Sequence, residues 1–363
     1  MVRLQAFACD HCAVPLPPGH RFPMEKYLLL REAVMAADLI PPVCVVVPRP
    51  ATDEQILRAH DRDYLEKATT GCLTTQEVRR IGFPWSSGLV QRARCSAGGT
   101  ISACRAALRD GIAVNLAGGT HHAFRGHGEG YCIFNDSVIA VRSMQQEGRI
   151  ARAVILDGDV HQGNGTAAIA AADPTIFTLS IHGERNFPLR KERSDLDVAL
   201  PDGTGDGPYL AAWDASVRRA LRMGLSCGPP RVDLAIYLAG VDPYEDDRLG
   251  RLALSKTGLA QRDARTFELC RDAGVPVATV MAGGYARRVE DTVAIHLQTV
   301  CLAAECVRDG YPGKGSSSVA AADSLGTSGG APGRDRDATW DSLNGPRSGP
   351  PSHGSFGLPK AGV

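Results

Sequence analysis

The sequence predicts an α/β fold in a single domain: a mostly parallel multi-stranded sheet with helices on both faces. Three observations predict it. Five short apolar runs, several rich in Val and Ile, are each bounded by Gly, Asp or Pro, which is how strands buried on both faces read. Helix-period stretches lie between them, as crossovers between parallel strands require. Polar, glycine-containing clusters follow the ends of the runs, where sheets of this kind place their active sites.

In chain order, Met1–Cys12 reads as strand-like. Thr52 with Gln55 reads as a capping box opening a helix that continues through about Lys67, the hydroxyl and the amide each satisfying a free backbone N–H. The strand at Ala113–Leu116 precedes a helix at Asp136–Gln146, and strands follow at Ala153–Leu156 and Ile176–Ile181. A helix at Tyr209–Met223, a strand at Leu234–Leu238, a helix at Lys256–Ala273 and a strand at Val277–Met281 complete the pattern. The catalytic body is expected to span residues 1–310. Residues 311–363 turn rich in Gly, Ser and Pro, lack a periodic apolar pattern, and are expected to form a disordered tail.

The 363 residues, 44% hydrophobic and 22% charged, suit a globular enzyme with a large core. Lys plus Arg and Asp plus Glu both number 40, so net charge is +0, which argues against direct nucleic-acid binding or attachment to anionic membranes. No apolar run reaches the roughly 18 residues of a bilayer span, and the start lacks signal-peptide order. Eleven scattered cysteines suit a reducing compartment, so an intracellular protein is expected, cytoplasmic or nuclear.

The strand ends carry the chemistry. Asp159 and His161 stand two residues apart after Ala153–Leu156, so on extended backbone their side chains share a side and can grip one metal. Asp242, after Leu234–Leu238, can supply a third ligand. Two carboxylates and one imidazole suit Zn²⁺ or Fe²⁺, and three protein ligands leave room for water and substrate. An ion held there can activate water and polarise a carbonyl. His121 and His122 can accept and return protons. Asp157 and Asn164 flank the metal segment and can orient the imidazoles. Tyr285, after Gly283-Gly284, can donate to a developing oxyanion. Alone, each piece has a plain reading: a packed His pair, a loop of Asx turns, a strand-end tyrosine. Together they fill every role that amide hydrolysis needs.

Gly118–His122, Gly130–Asp136, Asp157–Gly165, Ala239–Gly250 and Gly283–Tyr285 resemble, in order, the motifs of the histone deacetylase family of the arginase–deacetylase superfamily. Gly19–Met24 and Asp246–Gly250 resemble its class IV and related bacterial branch. The resemblance covers about Met1–Val307 and implies the arginase/deacetylase fold and a zinc-dependent deacetylase, most naturally of N6-acetyl-lysine in histones or other proteins. It implies Asp159, His161 and Asp242 as metal ligands, His122 as general base and acid, His121 as its electrostatic partner, and Tyr285 as the group polarising the carbonyl. It further implies that the Gly130 carbonyl accepts the substrate amide N–H. Tyr131 and Phe187 would wall an acyl-lysine tunnel, and Asp157 with Ser180 would hold a structural K⁺.

Asn164 stands where some classes carry Asp. The segment Ile81–Ser87 contains no acid to clamp a peptide backbone, so weak dependence on flanking peptide sequence is expected. Cys9 and Cys12 form a Cys-x-x-Cys without a helix-start context and read as coincidence. Acetylated polyamines, small acetyl-amides and long-chain acyl-lysines share this chemistry and remain alternatives, with partner proteins unknown. An arginase-like ureohydrolase would need two metals and more carboxylates, which metal stoichiometry would reveal. A catalytically dead scaffold would usually lack a ligand or the tyrosine, and all are present.

Overall fold

The computed structural model describes residues 3–222 and 232–311. The tail expected over residues 311–363 lies outside the described residues, apart from Tyr311. That residue is buried, and its hydroxyl donates to the Val275 carbonyl at 2.9 Å, so it belongs to the body.

The chain folds in the order β1 (Leu4–Phe7), α1 (Lys26–Ala36), β2 (Val43–Val46), α2 (Asp53–Ile56), α3 (Arg62–Thr70), α4 (Thr75–Ile81), α5 (Ser87–Asp110) and β3 (Ile112–Asn115). There follow α6 (Asp136–Gln146), β4 (Ala153–Asp157), α7 (Asn164–Ala170), β5 (Ile176–Gly183), β6 (Leu196–Leu200) and α8 (Asp206–Arg222). The described chain ends with β7 (Leu234–Leu238), α9 (Lys256–Asp272), β8 (Val277–Val280) and α10 (Val289–Arg308). The strands form one eight-stranded sheet in the order β2-β1-β3-β8-β7-β4-β5-β6, with every neighbouring pair parallel.

Alternation along the central strands divides the core. Ala153 and Ile155 face one side with α5 and α6; Val154 and Leu156 face the other with α1, α8, α9 and α10. Both faces of the central strands are therefore dry. The edge strands β2 and β6 are only partly buried. No helix among the described residues is long and apolar enough to cross a membrane. Among the described residues the cysteines are free. Cys12 lies beside Cys95, sulfur to sulfur 3.1 Å, so the Cys-x-x-Cys does not pair within itself.

The capping box at Thr52 and Gln55 forms as expected, but the helix it opens ends at Ile56 and a second begins at Arg62. The intervening backbone bonds elsewhere: Asp61 N donates to Arg125 O at 2.9 Å. The His60 ring meanwhile accepts from Asn135 N at 2.9 Å through Nε2 and faces Arg125 O through Nδ1 at 3.3 Å. His60 thus anchors the start of α6 as a neutral imidazole. Burial lowers its pKa from 6.5 to about 4, against the opposing bond to the Arg125 carbonyl.

The sign of the resulting pH dependence follows from the two affinities. Between those values the unfolded chain binds this proton and the folded chain does not. The stability is complete above the unfolded pKa and is lost as pH falls toward the folded one. Between about pH 7 and pH 5 the loss is about 2 kcal/mol. Urea unfolding of His60→Gln should show a smaller fall in stability over that range than the wild type, by about that amount. Equal falls would show that His60 does not carry this dependence.

Candidate active site

The site sits where β3, β4, β7 and β8 end, all at the same edge of the sheet because the strands are parallel. β4 runs into Asp157 and then Asp159 and His161; β7 runs into Asp242, and β8 into Gly283 and Tyr285.

Asp159, His161 and Asp242 bring one ligand atom each to within 4.8 Å of one another. The backbone fixes their aim. Asp159 Oδ1 accepts from His161 N at 2.9 Å, Asp159 Oδ2 from Gly283 N at 2.8 Å, and Asp242 Oδ1 from Val160 N at 2.8 Å. The second oxygen of Asp242 is buried, lies 3.2 Å from His161 Nδ1 and has no well-aligned donor. Burial, then the Asp159 charge, pushes the Asp242 carboxyl up to about 7, a repulsion that a divalent cation would relieve. Gly283 is required here, since a Cβ at that position would run into both carboxylates. Two buried carboxylates beside an imidazole, with Asp242 Oδ2 lacking a donor, fit one zinc-type ion.

Beside the trio, two imidazoles are ordered by different partners. His121 Nδ1 lies 2.7 Å from Asp157 Oδ2, and its Nε2 lies 3.1 Å from His122 Nε2. His122 Nδ1 lies 2.6 Å from Asn164 Oδ1. An amide oxygen only accepts, so the His122 proton sits on Nδ1 and Nε2 presents a lone pair. Burial alone would lower the His121 pKa, but the Asp157 and Asp159 charges outweigh it and hold the ring up at about 9. Burial, reinforced by His121 and His161, holds His122 well below the usual histidine range. One ring is thus cationic and its neighbour neutral. The carboxylate of Asp136, at the start of α6, accepts from Gly119 N at 3.1 Å and Thr120 N at 2.7 Å and sets the turn that carries both rings.

Tyr285 is partly buried, and its ring lies 6.5 Å from that of His161, centroid to centroid. Its hydroxyl has no hydrogen bond among the described residues. Burial, then the Asp159 and Asp242 charges, keeps that hydroxyl protonated well above its usual range, so it is available to donate.

A pocket of about 590 Å³ opens above these groups, lined by His122, Gly130, Tyr131, His161, Phe187 and Tyr285 among others. Phe187 stands edge-on to His122, with ring centroids 4.9 Å apart. Tyr131 takes a left-handed backbone, φ 65°, which costs a non-glycine residue about 1–3 kcal/mol. Its N–H donates to Ile81 O at 2.7 Å, one of the contacts that hold it there. A smaller chamber of about 40 Å³, lined in part by Gly118–His122, Cys132 and Ala282, adjoins the trio. Asp157 and Ser180 are paired neighbours on β4 and β5, and Ser180 Oγ lies 3.0 Å from His182 Nδ1.

Every residue expected in the site is therefore in or beside it, Asp157 and Ser180 lying just beneath. Asn164, where a second metal would want a carboxylate, is turned to His122 instead. Asp247, inside the Asp246–Gly250 motif but given no role there, accepts from Tyr285 N at 2.6 Å. Two further supporting residues had no signal in the sequence. Lys26, buried, reaches Ala282 O at 3.3 Å and Gly284 O at 3.4 Å and sits 5.3 Å from the Tyr285 ring centre. Arg262, fully buried, ties the two ligand loops together through Gly158 O at 3.0 Å and Gly240 O at 2.7 Å.

The histone deacetylase domain model matches residues 20–300. An uncharacterized protein of Picosynechococcus sp. is 46% identical over 282 residues, 78% of this chain and 92% of that protein. Histone deacetylase 2 of Arabidopsis thaliana is 29% identical over 288 residues, 76% of this chain and 73% of the relative. Among solved structures, an HDAC homolog complexed with SAHA superposes with a TM-score of 0.68 at 21% identity, covering 84% of each chain. The HDA15 HD domain superposes with the same TM-score at 20% identity, covering 82% of this chain and 90% of that one.

Proposed function

The chain belongs to the histone deacetylase family, hydrolases of amide bonds on the arginase/deacetylase fold, and from that premise we propose that it removes acetyl groups from N6-acetyl-lysine with one zinc-type ion. Asp159, His161 and Asp242 would hold the ion, which when bound supplies Lewis acidity toward water and the amide carbonyl. The neutral Nε2 of His122 takes the proton of the attacking water and returns it to the departing amine. His121, cationic and braced by Asp157, favours negative charge as it develops nearby. Tyr285 donates its hydroxyl to the carbonyl oxygen, and Gly130 O accepts the substrate N–H. Tyr131 and Phe187 flank the lysine stem and exclude water. Asp157 and Ser180, neighbours in register, are the proposed seat of a structural K⁺. The motifs at Gly19–Met24 and Asp246–Gly250 support a place near the class IV branch.

The small inner chamber carries the choice of acyl group. Its volume of about 40 Å³ takes about three waters at roughly 10–15 Å³ each, which is room for an acetyl group and too little for a long chain. Acetylated polyamines are cationic and would meet four arginines at the pocket mouth, Arg79, Arg80, Arg185 and Arg251, which disfavours them.

A substrate panel varying acyl length and amine type tests the reading. Acetyl-lysine peptides should exceed both long-chain acyl-lysine peptides and acetylated polyamines by about tenfold or more in kcat/KM, roughly 1.4 kcal/mol of transition-state binding. Preference for either competitor would overturn the assigned substrate.

A further inference from the structure

The mouth of the pocket carries an uneven charge. Arg79, Arg80, Arg185 and Arg251 line it with one carboxylate, that of Glu129. The chain as a whole balances 40 cations against 40 anions, so the excess is local. Asp202 offsets Arg251 at 3.2 Å and Arg185 at 4.0 Å, and Glu129 faces His127 at 3.7 Å. Arg79 and Arg80 are exposed, and their guanidinium groups make no hydrogen bond or ion pair among the described residues.

Both arginines lie in the last turn of α4, where cations complement the negative end of a helix. That role explains their sign but not their place. Arg80 O accepts from Gly130 N at 3.1 Å and Ile81 O from Tyr131 N at 2.7 Å. The end of α4 is therefore clamped to the loop that walls the tunnel, and the two side chains stand at its opening.

We propose that Arg79 and Arg80, backed by Arg185 and Arg251, select acetyl-lysines set in acidic peptide segments by pairing with Asp or Glu beside the acetylated residue. The proposal rests on the acyl-lysine reading of the site. A lysine side chain inserted in the tunnel leaves its backbone and neighbouring residues at the rim, within reach of these guanidinium groups. A guanidinium matches a carboxylate through paired N–H bonds. The same field opposes a Lys- or Arg-rich segment, as a basic histone tail would present. The segment Ile81–Ser87 offers no acid, as its sequence reads, but the two residues before it make the mouth sensitive to the charge of the flanking peptide.

Three acetyl-lysine peptides of equal length, flanked by Glu, Gln or Arg, test this on the full zinc-loaded chain. kcat/KM should be greatest for the Glu peptide, exceeding the Arg peptide by about tenfold or more, chiefly through KM. The ratio should shrink as ionic strength rises from about 0.05 M to about 0.5 M, because exposed pairs are screened. In the Arg79→Gln/Arg80→Gln double variant the Glu-to-Arg ratio should fall to within about threefold, and Arg79→Lys/Arg80→Lys should restore only part of it, because an ammonium keeps the charge and loses the paired N–H bonds. Both positions are exposed, so folding should tolerate these changes, which circular dichroism checks. Equal or reversed preference in the wild type, or a ratio unmoved in the Gln variant, would overturn the proposal. Stronger inhibition by a short oligonucleotide than by an acidic peptide would also overturn it, assigning the rim to nucleic acid. Cleavage of none of the peptides would instead end the acyl-lysine reading. Anisotropy of the same peptides carrying a fluorophore would then still decide the charge preference from their dissociation constants.

Discussion

Asp242→Asn should yield a folded protein that binds no divalent ion and has lost its activity. The wild type should carry one ion per chain. The substitution keeps the acceptor that Val160 N uses, at 2.8 Å, and removes the charge of a buried carboxylate crowded against Asp159. The metal-free fold should survive the change, which relieves the repulsion from Asp159 and gives up the contact of Asp242 Oδ2 with His161 Nδ1 at 3.2 Å; circular dichroism checks it. What is lost is the ion's charge stabilisation, several kcal/mol, so turnover should fall by about 10³ or more. Stability gives a second readout. An ion that binds only the native state stabilises it by about 2.7 kcal/mol at a hundred times its dissociation constant. Added Zn²⁺ should raise the melting temperature of the wild type and leave that of Asp242→Asn unmoved. Metal analysis finding an ion retained in the variant would remove Asp242 from the ligand set, and two tightly held ions per wild-type chain would favour ureohydrolase chemistry instead.

The parts of this site legible in the sequence are those in which local pattern and chemistry coincide. Asp159 and His161 share a side of extended backbone at a strand end, so their spacing alone makes them a pair. Asp242 and Tyr285 follow apolar runs that are strands, Leu234–Leu238 and Val277–Val280, so the parallel sheet brings them to the same edge. The capping box at Thr52 is likewise local, and it forms.

What escaped reading depends on partners far along the chain. Lys26 meets Ala282 across 256 positions, and Arg262 meets Gly158 across 104; neither has a motif. The break after Ile56 is imposed by Arg125 and Asn135, against a local pattern that favours continuing the helix. The edge strands β2 and β6 bury only part of their side chains, so their apolar signal is weak. Arg79 and Arg80 read as ordinary helix-end cations until Gly130 and Tyr131 are seen bonded to the turn that bears them. Phe187, in a loop without periodicity, was implied only by resemblance, yet its ring lies against His122.

Tyr285→Phe should cut kcat by about 10²–10³, or roughly 2.7–4 kcal/mol, the usual cost of one oxyanion donor. The argument turns on where the hydroxyl is free to act. Asp247 holds the Tyr285 backbone, and Lys26 holds the preceding carbonyl and sits beside the ring. Neither engages the hydroxyl. Burial, then the Asp159 and Asp242 charges, keeps it protonated, so it holds the proton it must donate to the developing oxyanion. Removing one oxygen should leave ring packing, the ligand trio and metal content unchanged, because no ligand bonds to that oxygen among the described residues. The loss should therefore appear in kcat, with little change in KM, as expected for an interaction strengthened in the transition state. Lys26→Met offers the contrast. It loosens the loop rather than deleting the donor, so it should lower stability as well as rate, whereas Tyr285→Phe should lower rate alone. Near wild-type kcat in Tyr285→Phe on the best acetyl-lysine substrate, with metal content verified, would withdraw the oxyanion role and leave the carbonyl to be polarised without this side chain.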